Sequence, residues 1–381
     1  MPDRIQIATP DVGEEEWQAL RGPFESGWLT QGPRVAEFER AFASRHQVNH
    51  ALATSSCTTA LHLMLVAAGI GPGDEVIVPS FTWVSTANAV VYTGARPVLA
   101  DVDPVTYNID LEDALQKITS KTKAIVAVHL FGLCVDLAKL RLEVPDHIQI
   151  FEDAACAAGA SLHGQSAGSM GDAAAFSFHP RKSITTGEGG MLTTNNEVLA
   201  ERASKMRNHG AEMSEEERHE GAQPYLLPEF NLLGFNYRMT DLQGAIGTVQ
   251  LRKLDRFIAE RNEAAKRYEE ALGVHDQIQM PKRPDDGTHA WQAFVVRILG
   301  LRAAEKRREI MAKLQEHGIA TRPGTHAIHS LGFYREQLRF TDIDLPGSAT
   351  CRDTTIAIPL HNRMTELDYL RVIDYVKKAI N

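Results

Sequence analysis

The sequence predicts an α/β fold, with a mostly parallel sheet in a large domain and a smaller C-terminal α/β domain. Short apolar runs alternate with polar turns between residues 49 and 195, and several are separated by segments long enough for a helix. Continuous apolar runs are typical of strands buried on both faces of a parallel sheet, and ligands bind beyond the carboxyl ends of such strands. The runs are EVIVP (75–79), PVLAD (97–101), AIVAVHL (124–130), IQIF (148–151) and AAAFSF (173–178).

The second half of the chain begins with a long helix. Apolar residues recur at three- and four-residue spacing after Thr240, and Gly273 is a suitable end for the helix. Further along, WQAFVVRI (291–298) predicts a strand, and helices are expected over 303–317 and 365–380. We place the domain boundary near residue 250, which gives a large domain over 1–250 and a small domain over 251–381.

Composition excludes several classes of protein. The 381 residues are 43% hydrophobic and 23% charged, as in ordinary globular proteins, and 40 basic against 49 acidic residues give a net charge of −9. An acidic chain is a poor candidate for binding nucleic acid or a membrane surface. No run of 18 apolar residues occurs, and the N-terminus has acids where a signal peptide needs an apolar core. With four scattered cysteines and no CxxC pair, we expect a cytoplasmic protein without a structural metal.

One lysine lies between the end of a predicted strand and a cluster of glycines. It is Lys182, in the segment SFHPRKSITTGEGG (177–190). Glycines allow the backbone to approach a bulky planar ligand closely, and a lysine there could form a Schiff base with an aldehyde cofactor. The alternative is a surface lysine beside a glycine turn, and composition alone favours that alternative.

An acidic residue ends another predicted strand. Asp153 lies in FEDAACAAG (151–159), where the small residues that follow leave room for a flat ring. A carboxylate there could keep a pyridine nitrogen protonated, which makes the ring an electron sink. The alternative is that Asp153 caps the next helix.

Two more segments have both a functional and a structural interpretation. TSSCTTAL (54–61) has the composition of a helix N-terminus, which favours a phosphate, although the segment taken alone favours simple capping. Trp83, in PSFTW (79–83), could stack on a cofactor ring, although most such aromatic side chains belong to the core.

The order and spacing of these segments resemble the DegT/DnrJ/EryC1/StrS family of sugar aminotransferases, which use pyridoxal 5'-phosphate (PLP). The resemblance covers nearly the whole chain. The matching segments are GWLTQGP (27–33), SCTTAL (56–61), GDEVIVPSFTW (73–83), GARPV (94–98), EDAA (152–155), FSFHPRK (176–182), GEGG (187–190), NYRMTD (236–241) and IPLH (358–361).

The resemblance implies an aspartate-aminotransferase-like fold (PLP fold type I) and a homodimer with shared active sites. By position, it implies that Lys182 binds PLP covalently and moves protons, and that Asp153 pairs with the pyridine nitrogen. The further cofactor contacts that it implies come from Cys57, Thr58 and Ser177 at the phosphate, Trp83 and Cys156 at the ring, and Asn236, which would reach the phosphate of the partner subunit's cofactor.

Two positions depart from the family's pattern. Cys57 replaces the usual glycine, so it can still offer its backbone N–H. Cys156 replaces the usual Gln or His near the phenolic oxygen and is a weaker hydrogen-bond partner. We also expect burial beside a cation to lower the pKa of Lys182, as suits a proton shuttle.

Substrate residues are expected in two regions. RPGTHAIH (322–329) resembles the family's sugar-nucleotide wall, where Arg322 could pair with a diphosphate. His326 and His329 could bind a metal or contact the sugar. The sequence favours solvated or core histidines over a metal site, because no third ligand is evident. The further candidates are Trp28, Thr30 and Arg238.

These expectations add up to transfer of an amino group from L-glutamate to a keto-sugar nucleotide, with a 4-keto-6-deoxyhexose as the implied acceptor. The product would be an amino sugar for a polysaccharide, a glycan or a secondary metabolite. Lys182 favours this activity, because relatives with histidine at that position resemble sugar dehydratases. The alternatives are an aminotransferase for a free keto-cyclitol or keto-sugar and a non-catalytic regulatory homologue. A nicotinamide dehydrogenase fits the sheet but lacks the GxGxxG turn.

Overall fold

The structure of the chain is a computed structural model that describes residues 4–213, 225 and 227–380. Its helices are α1 (Glu14–Ala19), α2 (Arg21–Ser26), α3 (Pro33–His46), α4 (Cys57–Ala67), α5 (Ser85–Tyr92), α6 (Leu111–Gln116), α7 (Leu137–Glu143), α8 (Glu197–Arg207), α9 (Asp241–Leu272), α10 (Ala303–Glu316), α11 (Gly332–Leu338), α12 (Pro346–Thr354) and α13 (Glu366–Ile380). Its strands are β1 (His50–Thr54), β2 (Glu75–Pro79), β3 (Phe81–Thr82), β4 (Arg96–Ala100), β5 (Thr122–Val128), β6 (Gln149–Asp153), β7 (Ser161–Leu162), β8 (Gln165–Ser166), β9 (Ala173–Ser177), β10 (Gly190–Thr194), β11 (Ile278–Gln279), β12 (Gly287–Thr288), β13 (Phe294–Ile298), β14 (His326–Ala327) and β15 (Thr355–Ile358).

The main sheet has seven strands in the order β1-β10-β9-β6-β5-β2-β4. Strands β4, β2, β5, β6 and β9 are parallel, and they confirm the five predicted runs to within two residues. Strand β10 is antiparallel to both β9 and β1. The sequence analysis assigned no strand to β1 or β10, because HALAT and GMLTT contain few large apolar residues.

Helices cover this sheet on both faces. Along β2, Val76 and Val78 belong to a core with Leu61 of α4, whereas Ile77 between them belongs to a second core with Leu140 of α7. Both side-chain directions of the strand are therefore buried, which explains why the strand is apolar at every position.

The long helix α9 confirms the predicted limits, because Thr240 is its N-cap and Gly273 follows its last residue. The helix passes residue 250 without a break. Its first half contacts α3, and its second half contributes Tyr268 to a core with Phe294 and Val372 in the C-terminal part. One helix thus contributes to two cores, and the division of the chain at residue 250 stays a prediction.

The C-terminal part contains a three-stranded sheet in the order β11-β13-β15. The predicted helices α10 and α13 are confirmed to within one residue. The strand predicted from Trp291 begins only at Phe294, because Trp291 has a left-handed φ of 45° and its ring stacks on His289 at 3.7 Å. In the part of the chain that the structure describes, no helix combines the length and the apolar composition needed to cross a bilayer.

Candidate active site

The lysine and the acid at two strand ends lie at the same edge of the sheet. Strands β6 and β9 are parallel neighbours, so the turns that follow them meet. After β9 the chain turns at Lys182, whose backbone N–H donates to the carbonyl of His179 at 2.8 Å. The Lys182 amine, Nζ, lies 3.2 Å from Sγ of Cys156, which follows β6. The fold therefore joins two segments that the sequence could only consider separately.

Asp153 is the last residue of β6 and is 4% exposed. Its Oδ2 accepts a hydrogen bond from the Thr86 hydroxyl at 2.7 Å, and its Oδ1 accepts from the Ala155 N–H at 3.2 Å. Burial raises the pKa of Asp153, although these two hydrogen bonds and the charge of Lys182 act in the opposite direction. Residues 154–160 form turns rather than a helix, so Asp153 does not cap one.

The surroundings of the Lys182 amine are acidic rather than cationic. Burial by itself lowers the pKa of Lys182, but Cys156, Cys57 and Asp153 together raise it by more, and the net direction is upward. The expectation of a lowered pKa is therefore wrong for the chain by itself. It assumed a neighbouring cation, whereas the groups that act on the amine carry negative charge when ionised.

The N-terminus of α4 forms a cradle at the same edge. Ser56 caps the helix, since its Oγ accepts from the Thr59 N–H at 3.2 Å. The N–H groups of Cys57 and Thr58 are the first two of the helix, which an α-helix leaves without internal partners. The predicted helix N-terminus is confirmed, and Ser56 caps it through Thr59 rather than through the N–H groups of Cys57 and Thr58.

Gly190 allows β10 to begin directly against this cradle. A Cβ at Gly190 would lie 2.5 Å from the carbonyl of Ser56 and 2.6 Å from the nitrogen of Cys57, closer than real contacts allow. Ser177 is paired with Gly190 across the sheet. The contact therefore brings the hydroxyl-bearing end of β9 to the start of α4.

These residues fit PLP. The cofactor needs an amine for its aldehyde, a carboxylate for its ring nitrogen and N–H or hydroxyl donors for its phosphate. Lys182, Asp153 and the start of α4 offer these groups at one sheet edge, where Gly190 lets β10 lie directly against Ser56 and Cys57. The Cys57 thiol itself is a poor ligand, because burial raises its pKa well above the usual value.

Trp83 lies just beyond β3 and is 56% exposed, so it is not a core residue in the chain by itself. Its ring lies 5.5 Å from the ring of His326. Strand β14 brings the two together, since His326 pairs with Thr82 in the register of β14 and β3. The two rings, one from each half of the chain, therefore form an aromatic wall.

The two histidines predicted near the substrate lie in different environments. His326 is exposed, whereas His329 is 2% exposed. The Nδ1 of His329 lies 2.7 Å from the Ser80 hydroxyl, and its Nε2 lies 2.9 Å from Asp342. Both ring nitrogens of His329 therefore have protein partners. Among the described residues, no group of three His, Cys, Asp or Glu is arranged to hold a metal.

The remaining predicted residues lie around a second region. Thr30 and Arg238 both line a pocket of about 430 Å³. The Arg238 guanidinium donates to Asn208 at 2.6 Å, and Trp28 Nε1 donates to the carbonyl of Gln31 at 3.0 Å. Asn236 is exposed on the segment just before Arg238, as a contact with a partner subunit would require.

Sequence reasoning missed the residues that support Asp153. Glu152 is fully buried, and its carboxylate accepts from His129 Nε2 at 2.8 Å and from the backbone N–H groups of Gly168, Met170 and Gly171 at 2.6–2.8 Å. His129 Nδ1 accepts from the Val135 N–H, which places the ring proton on Nε2. Glu152 could have been found from the EDAA motif, whereas no sequence pattern around Thr86 indicates its contact with Asp153.

Comparisons with known proteins identify the family of the chain. The sequence profile of the DegT/DnrJ/EryC1/StrS aminotransferase family matches residues 10–377. GDP-perosamine synthase of Caulobacter vibrioides is 40% identical over 374 residues, which cover 97% of this chain and 96% of that protein. Spore coat polysaccharide biosynthesis protein SpsC of Bacillus subtilis is 38% identical over 378 residues, which cover 99% of this chain and 97% of that protein.

Solved structures give the same result for the fold. A protein of Streptococcus pneumoniae, solved in its PLP form, superposes with a TM-score of 0.91 at 26% identity, over 99% of this chain and 98% of that chain. The predicted α/β fold, the predicted family and the predicted cofactor are thereby confirmed.

Proposed function

Because the chain belongs to the DegT/DnrJ/EryC1/StrS aminotransferase family, we propose that it transfers an amino group from L-glutamate to a keto-sugar nucleotide. The chain is a PLP-dependent sugar aminotransferase, and its relatives associate it with amino sugar synthesis. The observation that carries the proposal is that Lys182 lies beside the end of β6 and the start of α4 at one sheet edge.

Each of these residues has a distinct task in the proposal. PLP, when bound, supplies an electron sink for the charge left on carbon when a proton is removed. Asp153 holds a proton at the ring nitrogen, and Thr86 orients the carboxylate that does so. The backbone N–H groups of Cys57 and Thr58, with Ser177, hold the phosphate at the start of α4.

Lys182 is the proposed proton carrier of both half-reactions. Transamination removes a proton from one carbon and adds a proton to a neighbouring carbon, so one amine that reaches both carbons can serve. The thiol of Cys156 lies 3.2 Å from the Lys182 amine and restricts the position of that amine. That contact orients Nζ toward the groups at the end of β6.

The proposed acceptor is a 4-keto-6-deoxyhexose nucleotide. The similarity to GDP-perosamine synthase supports a sugar nucleotide as the acceptor, since the name of that relative includes a sugar linked to GDP. Trp83 and His326 present exposed rings beside each other, which suits a sugar face. Arg322, four residues before His326, is exposed and suits a diphosphate.

We further propose that the enzyme is a cytoplasmic homodimer. The exposed Asn236 supports this, because in the proposed assembly it donates to the phosphate bound by the partner subunit. Thr30 and Arg238 line their pocket beside the same segment and are proposed to face the substrate.

The test is a visible absorption titration of the purified protein with PLP. A visible band should form on adding the cofactor, decline with L-glutamate and return with one member of a panel of keto-sugar nucleotides. Recovery with a free keto-cyclitol or keto-sugar would instead support the nucleotide-independent alternative. Absence of any band would favour a non-catalytic homologue.

Lys182→Ala tests the assignment of the lysine. We expect turnover to be abolished, because the described segment between β9 and β10 contains no second lysine. Lys378→Ala is the matched control, since Lys378 is exposed on α13 and forms a surface ion pair with Asp374. Multiple turnovers by Lys182→Ala would contradict the role proposed for Lys182.

A further inference from the structure

A buried histidine connects the residue before β3 to an acidic residue on the protein surface. The Nδ1 of His329 lies 2.7 Å from the Ser80 hydroxyl, and its Nε2 lies 2.9 Å from Oδ1 of Asp342. A carboxylate can only accept hydrogen bonds, so in the neutral ring Nε2 donates to Asp342 and Nδ1 accepts from Ser80. The two partners therefore fix both the tautomer and the orientation of the His329 ring.

Asp342 is itself held by an arginine. The Arg352 guanidinium donates to Oδ1 and Oδ2 of Asp342 at 2.8 Å and 3.0 Å, which is the forked geometry that arginine forms with carboxylates. The hydrogen bonds from Arg352, and after them the one from His329, lower the pKa of Asp342 to about 2, so Asp342 stays charged. Because Arg352 lies on α12, a continuous set of side-chain contacts runs from this helix to Ser80.

The order Ser80, His329, Asp342 is that of a serine hydrolase triad, but Ser80 is not placed to act as a nucleophile. Ser80 is fully buried, so a substrate does not reach its hydroxyl. Its N–H donates to the carbonyl of Ala100 at 2.7 Å, and its carbonyl accepts from the N–H of Ile328 at 2.6 Å. These contacts fix the chain at Ser80, and the bond to His329 adds to them.

Ser80 directly precedes β3, which supports the aromatic wall. Strands β3 and β14 pair over only two residues each, so the ladder between them is short. Ile328 and His329, the two residues after β14, bind the carbonyl and the hydroxyl of Ser80 and so extend the attachment of β14 to β3. Trp83 follows β3 and His326 begins β14, so the 5.5 Å between their rings depends on this attachment.

We propose that His329 and Asp342 are positioning residues, which hold the aromatic wall at the spacing that binds the acceptor sugar without touching the sugar themselves. This inference rests on the proposed function, which assigns the wall to a sugar face. It gives His329 an indirect role, since both of its ring nitrogens have protein partners. Ser80, Asp342 and Arg352 are additional to the residues that the family resemblance implies.

Asp342→Ala tests the proposal at the surface end of these contacts, where the side chain is 56% exposed and the fold should tolerate its loss. The KM for the keto-sugar nucleotide that restores the visible band should rise about threefold to tenfold, the effect of losing one aromatic contact. The KM for L-glutamate and kcat should change little, because the amino donor is not assigned to the wall. Asp342→Asn keeps an oxygen that can accept from His329 and should restore part of the affinity.

Asp353→Ala is the matched control. Asp353 pairs with Arg352 at 2.7 Å, so this variant also removes an acid from Arg352 but leaves Asp342 and His329 in place. Its KM for the keto-sugar nucleotide should equal that of the wild-type enzyme.

The fluorescence of Trp83 gives a readout that needs neither cofactor nor substrate. Subtracting the emission of the same full-length protein with Trp83→Phe isolates the signal of this one tryptophan. In Asp342→Ala, acrylamide should quench Trp83 more strongly than in the wild-type protein, because the ring would no longer be held beside His326. Asp353→Ala should show the quenching of the wild-type protein.

Unchanged quenching of Trp83 in Asp342→Ala would overturn the positioning role. Equal increases in KM for both substrates would also overturn it, because they indicate a general loss of structure. Stronger quenching with an unchanged KM for the keto-sugar nucleotide would show that the wall does not bind the acceptor. If no keto-sugar nucleotide restores the visible band of the wild-type enzyme, the proposed function fails instead, and the quenching comparison still decides whether Asp342 positions Trp83.

Discussion

Thr86→Val removes a single hydrogen bond from the carboxylate proposed to face the cofactor. Thr86 is 1% exposed, and its hydroxyl lies 2.7 Å from Oδ2 of Asp153. Valine has nearly the same shape, so the packing of α5 is retained and the carboxylate oxygen loses its donor. Because this hydrogen bond lowers the pKa of Asp153 against the effect of burial, its removal raises that pKa further.

The size of the effect follows from the strength of the bond. A hydrogen bond to a charged group contributes about 1.5–3 kcal/mol, and one pKa unit corresponds to about 1.4 kcal/mol. The pKa of Asp153 should therefore rise by about 1–2 units relative to the wild-type protein. A protonated Asp153 cannot hold a proton at the ring nitrogen, so the acid limb of the kcat/KM profile should move up by a similar amount.

The assay combines a pH profile with a PLP titration followed by visible absorption. At neutral pH, PLP binding to Thr86→Val should weaken by about tenfold to a hundredfold, the equivalent of the same energy. Thr354→Val is the matched control, because Thr354 is also buried but its hydroxyl donates to the carbonyl of Thr350 in α12. Identical pH profiles for Thr86→Val and the wild-type enzyme would refute the reasoning.

Three further substitutions test the cradle, the buried support and the acid stability. Gly190→Ala should weaken PLP binding and lower the free energy of unfolding by about 1–3 kcal/mol, because the added Cβ would overlap Ser56. An unchanged PLP affinity together with an unchanged free energy of unfolding in urea would contradict this. Glu152→Gln should lower the free energy of unfolding in urea by about 3–5 kcal/mol, because the NH2 group of glutamine would face N–H donors where the carboxylate accepts hydrogen bonds. A loss under about 1 kcal/mol would disprove the role of that carboxylate. Burial lowers the pKa of His46 to about 3, so the unfolded chain takes up a proton below about pH 6.5 that the folded chain does not. Between pH 7 and pH 5, His46 should therefore lower the free energy of unfolding by about 2 kcal/mol. His46→Phe should remove that part of the pH dependence measured by urea unfolding. If the free energy of unfolding of the variant falls as steeply with pH as that of the wild-type protein, His46 is not the source.

Local sequence signals were sufficient where the cause is local. Strand β2 is apolar at every position because both its faces are covered, and the run EVIVP reports this directly. The start of α9 follows from Thr240 and Gln243, which cap each other within three residues. The start of α4 follows from Ser56 and Thr59 in the same way. The segments that contain Lys182 and Asp153 were identified for comparable reasons.

Other features depend on residues that are distant in the chain. The antiparallel strand β10 is defined by its neighbours β1 and β9 rather than by its own composition. Trp291 continues an apolar run, but its left-handed backbone delays the strand, whose first residue Phe294 pairs with the distant Ile358 of β15.

The sequence by itself determined the five parallel strands of the main sheet, the long helix α9, the family and the candidate residues for the cofactor, because short-range patterns encode burial, capping and motif order. The tertiary structure alone decided how those residues act on one another. Thr86 meets Asp153 across 67 positions, and Cys156 meets Lys182 across 26. The pKa of Lys182 rises rather than falls for this reason, since electrostatic effects depend on distances in space that the order of residues does not record.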